Sequence, residues 1–384
     1  MEQANGKTKI VLTGGHAGTT AISVVEELAK ESSRYKRSLQ GLPYRWEIHW
    51  IGASSAVEGK KVATLEKRVL PRMGVSFHSI LTGRLQKKWT VHTLPSILKI
   101  PLGFFHAVFL LLKIRPKIIL SFGGFAALPV VVVGFFLRIP VIIHEQTVAV
   151  GLANKFSSFF ARKITISRDS SREFFPRGKT VLVGNPVMTS ITKVLPKTKL
   201  AQPPTLLIVG GSRGAQRINR ALETVLDEIL DKFFVIHQTG EPDYQRFSDL
   251  KNSFPAKKKD RYEVYNFIDP AEIASVYRKA DIVISRSGAN TISELLIIQR
   301  PSILIPIPWT RYDEQTKNAK VVEEAGLGVV LEEKNLSGEH LMKKLLYVLD
   351  NWGKMSGQTA RKLTELDLNA STKLVSEIKS LCEK

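Results

Sequence analysis

The chain has 384 residues, of which 43% are hydrophobic and 24% charged, a composition that excludes a disordered or fibrous protein and suits two globular domains. Lysine and arginine total 56 against 35 aspartate and glutamate residues, and the net charge of +21 favours an anionic partner. The single cysteine, Cys382, excludes an internal disulfide and any metal site built from several cysteines, which fits a reducing cytoplasm.

Two apolar runs could be considered as membrane spans, and both are too short. Residues 101–112 are interrupted by His106, and residues 125–137 contain Pro129 and stop at Arg138. A spanning helix needs about 20 apolar residues. The chain also begins with no apolar run before its first predicted strand, so we expect no secretory signal and a soluble or peripheral protein.

The first half of the chain predicts a parallel sheet in which strands alternate with helices. The predicted strands are 9–12, 46–51, 75–80, 117–121, 141–144, 163–166 and 180–183, and the predicted helices are 19–29 and 94–112. A glycine turn follows the first strand at 13–16, and loops of small or polar residues follow the strands that end at 121 and 144. Because the carboxyl ends of parallel strands share one edge of a sheet, we expect the loops at 123–125 and 144–147 to be neighbours.

The second half repeats this pattern after a stretch rich in proline and lysine. The predicted domains are 1–186 and 205–352, joined by a linker at 187–204. A helical segment, 353–384, is amphipathic from about residue 362 and is expected to pack on a domain, with the N-terminal domain as a candidate. The predicted strands are 205–209, 233–237, 262–265, 282–285 and 302–305, and the predicted helices are 216–230, 291–299, 313–325 and 339–349.

The segment 280–308 predicts a strand, a sharp turn at Ser287-Gly288, a helix and a second strand. Such a corner presents backbone N–H groups and the positive end of a helix dipole, where phosphate binds well. The carboxylate of Glu294 could accept hydrogen bonds from the hydroxyls of a ribose beside the phosphates. The alternative is structural, because Thr291-x-x-Glu294 also has the spacing of a capping box.

The sequence disfavours several nucleotide-binding and hydrolytic classes of enzyme. The evidence is the residues that end the second strand of each domain, together with the absence of known motifs. Nicotinamide binding needs an acidic residue there, but the corresponding positions read WIGA at 50–53 and HQTG at 237–240. The sequence also lacks a P-loop, a zinc motif and a G-x-S-x-G elbow.

Short motifs succeed one another in order along nearly the whole chain. They are TGGH at 13–16, FGGF at 122–125, PVIIHEQ at 140–146, GNP at 184–186, GGSRGA at 210–215, HQTG at 237–240, FID at 267–269, RSGANTISE at 286–294 and DEQ at 313–315. In this combination they resemble the MurG family of bacterial UDP-GlcNAc transferases. The resemblance implies an α/β protein of GT-B fold, with two Rossmann-like doubly wound parallel-sheet domains facing across a cleft. It also implies transfer of GlcNAc, with inversion, to the 4-hydroxyl of MurNAc in lipid I, which gives lipid II and UDP.

The resemblance assigns roles to individual residues. His16 is the candidate base for the attacking hydroxyl, and its structural alternative is a histidine that packs on the first helix. By similarity Ser212 contacts phosphate, Glu294 the ribose and Ile268 the uracil through its backbone, while Glu314 and Gln315 contact the sugar. The substrate-binding residues expected in the first domain are Thr13, Gly14, Gly15, Phe125, Glu145, Thr147 and Met188, and those expected in the second are Ser212, Arg213, Gly214, Ile268, Ser287, Gly288, Ala289, Thr291, Glu294, Glu314 and Gln315.

Five residues depart from the family pattern. Val11-Leu12 stands where a glycine pair usually precedes TGGH, and Phe125, Thr147 and Met188 replace a tyrosine, an asparagine and an arginine. Thr147 can still hydrogen-bond a sugar hydroxyl, whereas Phe125 and Met188 cannot replace the lost polar groups. Two alternatives therefore stay open: another GT-B lipid glycosyltransferase, such as a diacylglycerol glycosyltransferase, or a non-catalytic UDP-sugar-binding protein.

The expected partners are UDP-GlcNAc, the undecaprenyl-diphosphate-linked acceptor lipid I and an anionic membrane surface. Basic residues beside Trp89 lead into an apolar helix at 94–112, a combination that predicts contact with a membrane surface. The resemblance implies a peripheral protein on the cytoplasmic face of the cell membrane. The alternative is that the helix belongs to the core. We expect no cofactor, no required divalent metal and no nucleic-acid partner, although charge alone would suit nucleic acid.

Overall fold

A computed structural model describes residues 7–15, 17–37, 46–55, 63–81, 93–210, 215–358 and 361–383, without the side chains of 34–37 and 93–100. The chain divides into two compact units. Unit 1 consists of Met1–Met188 and Asn369–Lys384, and unit 2 of Thr189–Leu368.

In its described residues, unit 1 contains a seven-stranded sheet in which all neighbouring strands are parallel. The strands are β1 (Thr8–Gly14), β2 (Trp46–Gly52), β3 (Ser76–Ser79), β4 (Ile118–Ser121), β5 (Val141–Glu145), β6 (Lys163–Ile166) and β7 (Thr180–Leu182). Their order is β3-β2-β1-β4-β5-β6-β7. The order reverses at β1 and β4, and in open parallel sheets ligands bind at the carboxyl edge at such a point.

Helices connect these strands. They are α1 (Gly18–Arg37), α2 (Leu65–Val69), α3 (Thr93–Ile114), α4 (Ala127–Phe136) and α5 (Leu152–Ser157), with short 3-10 helices at Leu70–Met73, Asp169–Phe174 and Arg177–Lys179. The central strands are mostly buried and rich in aliphatic residues because helices cover both faces of a parallel sheet. None of the helices in the described part of the chain combines the length and apolar character needed to cross a membrane.

Unit 2 contains a parallel sheet of six strands within the residues described. The strands are β8 (Thr205–Val209), β9 (Phe234–Gln238), β10 (Tyr262–Tyr265), β11 (Ile282–Ser285), β12 (Ser302–Leu304) and β13 (Gly328–Val330), in the order β10-β9-β8-β11-β12-β13. The chain order of this sheet also reverses, between β8 and β11. The carboxyl ends of these two strands therefore form the second expected ligand edge.

The helices of unit 2 account for most of its remaining chain. They are α6 (Thr189–Thr192), α7 (Gln216–Glu223), α8 (Leu226–Lys232), α9 (Glu241–Ser253), α10 (Ala256–Lys259), α11 (Pro270–Lys279), α12 (Ala289–Ile298), α13 (Glu314–Glu324), α14 (Gly338–Asp350), α15 (Trp352–Met355) and α16 (Arg361–Leu368), with 3-10 helices at Arg311–Asp313 and Glu333–Asn335. The prediction of a single helix at 216–230 is wrong, because α7 and α8 are separate helices.

The segment 187–204, predicted as a linker, includes α6, which packs against α11 and α12 within unit 2. The amphipathic pattern predicted from about residue 362 is divided between two helices. The second, α17 (Ala370–Cys382), belongs to unit 1 and packs on α1 and β4, whereas α16 belongs to unit 2. Side-chain contacts hold α17 in place: Lys379 Nζ lies 3.1 Å from Glu31 Oε2, and the Thr372 hydroxyl donates to Glu27 at 3.1 Å.

Candidate active site

The corner between β11 and α12 is the best defined part of the candidate site in unit 2. Ser287 is buried, and its hydroxyl donates to the carbonyl of Gln315 at 2.8 Å. The side-chain amide of Asn318 donates to the carbonyl of Ser287 at 3.1 Å. Two hydrogen bonds with α13 residues thus fix the turn before α12, and a fixed backbone presents its N–H groups without further ordering.

The first turn of α12 is reachable from solvent. Gly288 is the N-cap residue and contributes no side-chain cap, and Gly288, Ala289 and Thr291 are all partly exposed. The positive end of the helix dipole lies at this turn, where an anion is stabilised. The strand–turn–helix corner that the sequence predicted is therefore present, and the binding of phosphate at this corner stays a prediction.

Glu294 lies in the second turn of α12, so the capping-box alternative is wrong. Because the helix begins at Ala289, Thr291 is inside it and is not its N-cap residue. Glu294 is only 7% exposed, and its carboxylate accepts a hydrogen bond of 2.7 Å from the Tyr277 hydroxyl. A buried carboxylate held in this way keeps a fixed direction.

Ile268, Glu314 and Gln315 occupy loops and a helix start around the same sheet. The backbone N–H of Ile268 lies 3.4 Å from Oε1 of Gln238, the last residue of β9. Glu314 and Gln315 open α13, and Oε1 of Gln315 accepts from the N–H of Ile307 at 3.0 Å, just after β12. Glu314 and Gln315 are partly exposed, whereas Ile268 is buried.

The backbone before α13 adopts conformations that L-residues rarely take. Tyr312 and Asp313 have φ values of 54° and 52°. Such conformations cost about 1–3 kcal/mol each and concentrate at ligand-binding sites. They set the direction from which Glu314 and Gln315 enter α13.

A buried glutamate after β13 was not predicted from the sequence. Glu333 Oε2 lies 2.5 Å from Nη1 of Arg286, and Oε1 lies 3.4 Å from Nε of Arg217. Arg286 precedes the Ser287 corner, and Arg217 lies in α7, three residues after Gly214. Glu333 thus ties together the chain segments next to two predicted phosphate turns. The sequence carried no signal for it, because β13, the strand that it follows, was not predicted either.

Four predicted site residues lie outside the described residues: His16, Ser212, Arg213 and Gly214. Their flanks are described. Gly15 and Ala17 border His16, and Gly210 and Ala215 border the segment that contains the other three.

The glycine turn of unit 1 is packed against the loop that follows β4. The N–H of Gly15 donates to the carbonyl of Gly123 at 2.8 Å, and a Cβ on Gly124 would lie 2.8 Å from the Gly15 backbone. The loop containing the partly exposed Phe125 is therefore a neighbour of the turn that precedes His16, as the shared sheet edge predicts. Thr13 is buried, and its hydroxyl donates to the carbonyl of Ile51 at 2.7 Å.

The side chain of Glu145 is occupied inside its own loop. Oε1 accepts from the N–H and hydroxyl of Thr147, at 3.2 and 3.0 Å, and Oε2 accepts from Gly151 N–H at 3.1 Å and Asn154 Nδ2 at 3.0 Å. Burial raises the pKa of Glu145. Through these contacts Glu145 shapes the 147–154 loop, and it has little surface to offer a ligand.

Met188 ends unit 1 and is also buried, so its side chain presents almost no surface. Asn154 is a further residue that the sequence did not single out. Its amide joins the Glu145 loop to the carbonyl of His144 at 3.3 Å, and its Oδ1 would lie 2.5 Å from a Cβ on Gly123. No metal-binding group of three or more His, Cys, Asp or Glu side chains occurs in the part of the chain that the structure covers.

Two family models match the chain in order. The Glycosyltransferase family 28 N-terminal domain matches residues 43–166, and the Glycosyltransferase family 28 C-terminal domain matches residues 205–373. These matches fall on the two parallel-sheet units and define a glycosyltransferase of GT-B fold.

Curated relatives extend the similarity over most of the chain. A protein of Clostridium botulinum named UDP-N-acetylglucosamine--N-acetylmuramyl-(pentapeptide) pyrophosphoryl-undecaprenol N-acetylglucosamine transferase is 31% identical over 353 residues, covering 89% of this chain and 91% of its own. A protein of the same name from Geotalea uraniireducens is 32% identical over 374 residues, covering 94% of this chain and 95% of its own. The chain belongs to the MurG family.

Solved structures support the fold. The crystal structure of Acinetobacter baumannii MurG matches with a TM-score of 0.65 and 23% identity, covering 97% of this chain and 99% of that one. The structure of a UDP-GlcNAc 2-epimerase from Neisseria meningitidis bound to UDP-GlcNAc matches with a TM-score of 0.62 and 12% identity, covering 97% of this chain and 100% of that one. Because enzymes with different reactions share this fold, the family assignment rests on the sequence similarity.

Proposed function

We propose that this protein transfers GlcNAc from UDP-GlcNAc to the 4-hydroxyl of MurNAc in lipid I, an undecaprenyl-diphosphate-linked acceptor, inverting the anomeric centre and releasing UDP. The names of its relatives support this reaction. The structural observation that carries it is the β11–α12 corner, where a reachable helix N-terminus adjoins the oriented carboxylate of Glu294.

The donor end of the proposed site is assigned to unit 2. Negative charge grows on the UDP diphosphate as the sugar leaves, and N–H groups of the Ser287–Ala289 turn and of residues 212–214 stabilise it. Glu294 accepts hydrogen bonds from the ribose hydroxyls, and the backbone of Ile268 contacts uracil. Glu314 and Gln315 contact the GlcNAc, and the proposal assigns no step to a metal ion or cofactor.

The acceptor end is assigned to unit 1. His16 takes the proton of the attacking hydroxyl as that oxygen bonds to C1 of GlcNAc. The packing of the preceding Gly15 against Gly123 supports a turn of fixed geometry. Phe125 and the loop shaped by Glu145 and Thr147 border the acceptor, Glu145 acting through the loop rather than by contact.

We also propose that the protein acts as a peripheral protein at the cytoplasmic face of the membrane. One face of α3 carries four exposed apolar residues at helical spacing: Leu102, Phe105, Phe109 and Leu112, with Phe105 75% exposed and Phe109 61%. Lys113 lies over the Phe109 ring at 6.0 Å, so a positive charge adjoins this face. An apolar face with adjacent basic groups binds anionic bilayers. The basic segment around Trp89 lies outside the described residues.

The test is transfer of labelled GlcNAc from UDP-GlcNAc to lipid I by wild type, His16→Ala and Glu294→Ala. Wild type should form lipid II. Loss of the base should lower kcat by about 10²- to 10⁴-fold, and Glu294→Ala should act mainly on the KM for UDP-GlcNAc. Transfer to diacylglycerol instead of lipid I would favour the other lipid glycosyltransferase. Binding of UDP-GlcNAc without turnover would favour a non-catalytic protein, the alternative raised by Phe125 and Met188.

A further inference from the structure

Tyr277 and Glu294 form a buried pair beside the proposed nucleotide site. Tyr277 comes from α11 and is 2% exposed, and Glu294 comes from α12 and is 7% exposed. The phenol oxygen lies 2.7 Å from Oε2 of Glu294. A hydrogen bond from a neutral donor to a carboxylate at this distance is strong, and burial excludes water as a replacement.

The tyrosine is the donor in this pair. Burial, with the neighbouring charge of Glu294 adding to it, raises the pKa of Tyr277 well above its ordinary value, so the hydroxyl keeps its proton. The backbone of Tyr277 is held as well, because its carbonyl accepts a hydrogen bond of 3.4 Å from Nη2 of Arg300, which is itself buried. The hydroxyl therefore has a fixed position.

We propose that Tyr277 is a positioning residue that orients the Glu294 carboxylate toward the two hydroxyls of the donor ribose, and so sets the preference for ribonucleotides over 2′-deoxyribonucleotides. This inference rests on the proposed function, in which Glu294 contacts the ribose. Tyr277 itself acts only through Glu294.

Orientation matters because two vicinal hydroxyls must meet one carboxylate. A glutamate side chain rotates about three bonds. A carboxylate that is free to turn must lose conformational entropy before it can accept hydrogen bonds from both hydroxyls. The Tyr277 contact fixes the direction in advance, which strengthens binding without adding a contact to the ligand. A site arranged to bind a hydroxyl also discriminates strongly against an analogue that lacks it.

The test compares the dissociation constants of UDP and 2′-deoxy-UDP by calorimetry for wild type, Tyr277→Phe and Glu294→Ala. The ratio of the two constants cancels any general effect on the fold, because both ligands meet the same protein. Wild type should bind UDP about tenfold or more tightly than 2′-deoxy-UDP, as expected for a hydrogen bond to a charged group. Tyr277→Phe should reduce this preference at least about threefold, since the carboxylate loses the Tyr277 hydrogen bond but not its charge. Glu294→Ala should abolish the preference.

Tyr262 provides a matched control. It is another buried tyrosine of unit 2, and its hydroxyl lies 2.8 Å from Nδ1 of His237, not near Glu294. Tyr262→Phe removes a phenol hydroxyl of similar burial and should leave the UDP preference unchanged. Tyr277→Leu, which also lacks the hydroxyl, provides a second variant should the phenylalanine variant fail to fold.

The double variant Tyr277→Phe/Glu294→Ala tests whether Tyr277 acts through Glu294. Its preference should equal that of Glu294→Ala alone, because a residue that acts through another has no effect once the other is removed. If Tyr277→Phe kept the wild-type preference for UDP over 2′-deoxy-UDP while Glu294→Ala lowered it, the inference would be overturned. The proposed contact between Glu294 and the ribose would still stand. An unchanged preference in Glu294→Ala would instead remove the ribose contact, and the role of Tyr277 with it.

Discussion

The backbone N–H of Gly18, the first residue of α1, donates a hydrogen bond of 3.0 Å to Oε1 of Glu66. Glu66 comes from α2 and is buried. Its carboxylate lies at the positive end of the α1 dipole, where negative charge is stabilised. The start of α1, two residues after His16, is therefore held by a side chain of the same unit.

Replacing Glu66 should weaken unit 1. Glu66→Ala leaves the Gly18 N–H without its acceptor and should cost about 1–3 kcal/mol of stability, whereas Glu66→Gln keeps an acceptor oxygen and should cost less. Urea unfolding followed by circular dichroism measures both. Glu339→Ala, which removes an exposed carboxylate from the first turn of α14, is the control and should change stability by no more than about 0.5 kcal/mol. Equal losses at the two positions would contradict the role given to Glu66.

Gly124 should not tolerate a side chain. A Cβ would lie 2.8 Å from the Gly15 backbone, and the φ of +88° disfavours any L-residue. Gly124→Ala should therefore shift the turn before His16 and lower kcat for GlcNAc transfer at least about tenfold, since small misplacements of catalytic groups are costly. Gly178→Ala is the control, because nothing lies within 4 Å of its Cβ position. An active Gly124→Ala enzyme would show that the contact between the two loops is not needed.

The ion pair of Arg286 and Glu333 should contribute strongly to the stability of unit 2. The charges lie 2.5 Å apart, and the side chain of Glu333 is 1% exposed. Glu333→Ala leaves the Arg286 charge largely buried and unpaired, and should cost about 3 kcal/mol or more. The exposed pair of Arg361 and Glu365 is the comparison, and Glu365→Ala should cost less than about 1 kcal/mol. Thermal unfolding measures both, and a similar effect of the two substitutions would contradict this prediction.

Stability should fall as the pH is lowered below 6.5. Burial lowers the pKa of His144 and of His237 from 6.5 to about 3, so both stay neutral in the native protein while the unfolded chain takes up a proton at each. The stability associated with each neutral histidine is complete above pH 6.5 and is lost as the pH falls toward 3. The slope is about 1.4 kcal/mol per pH unit for each histidine.

Urea unfolding between pH 7.5 and 5 measures this slope. His237→Gln should reduce it, because His237 then no longer takes up a proton in the unfolded chain. His340→Gln, at an exposed position, should leave it unchanged. The same slope in wild type and His237→Gln would show that His237 does not contribute.

The apolar face of α3 should bind anionic bilayers. Phe105→Ser combined with Phe109→Ser should weaken binding to vesicles that contain phosphatidylglycerol at least about tenfold, because two exposed aromatic rings lose their contact with lipid. Co-sedimentation with the vesicles measures this. Tyr347→Ser removes an aromatic residue that is 53% exposed on α14 and serves as the control. Unchanged binding by the α3 variant would place the membrane contact elsewhere.

Short apolar runs separated by helical patterns were sufficient to predict most strands, because strands buried on both faces are rich in aliphatic residues. β13 was not predicted, since three residues at a sheet edge carry too weak a pattern. Helix starts depend on caps, and the Thr291 pattern gave the wrong start because Gly288 is the N-cap residue. The pattern after 362 predicted a buried face, but spacing cannot tell which unit covers it, and α16 and α17 belong to different units.

The sequence was likewise better at selecting candidate site residues than at predicting their contacts. Resemblance was sufficient to select Glu145 and Glu294, since both stand in specific motifs. It could not show that loop N–H groups and Asn154 occupy Glu145, or that Tyr277 holds Glu294. Tyr277 is 17 residues from Glu294 and becomes its neighbour only through folding. The partners of Glu145 are closer in sequence, but the path of the loop brings them to the carboxylate, and no residue pattern specifies that path.

The position of α17 has a consequence for synthesis of the chain. Its buried residues Leu374, Ile378 and Leu381 complete unit 1, yet the ribosome makes them only after all of unit 2. At ordinary elongation rates the nascent first sheet waits roughly 10–40 s for this last helix, with the apolar surface that α17 covers open to chaperones and proteases. Chains stalled before residue 370 should therefore be cleaved by protease within α1 faster than released chains.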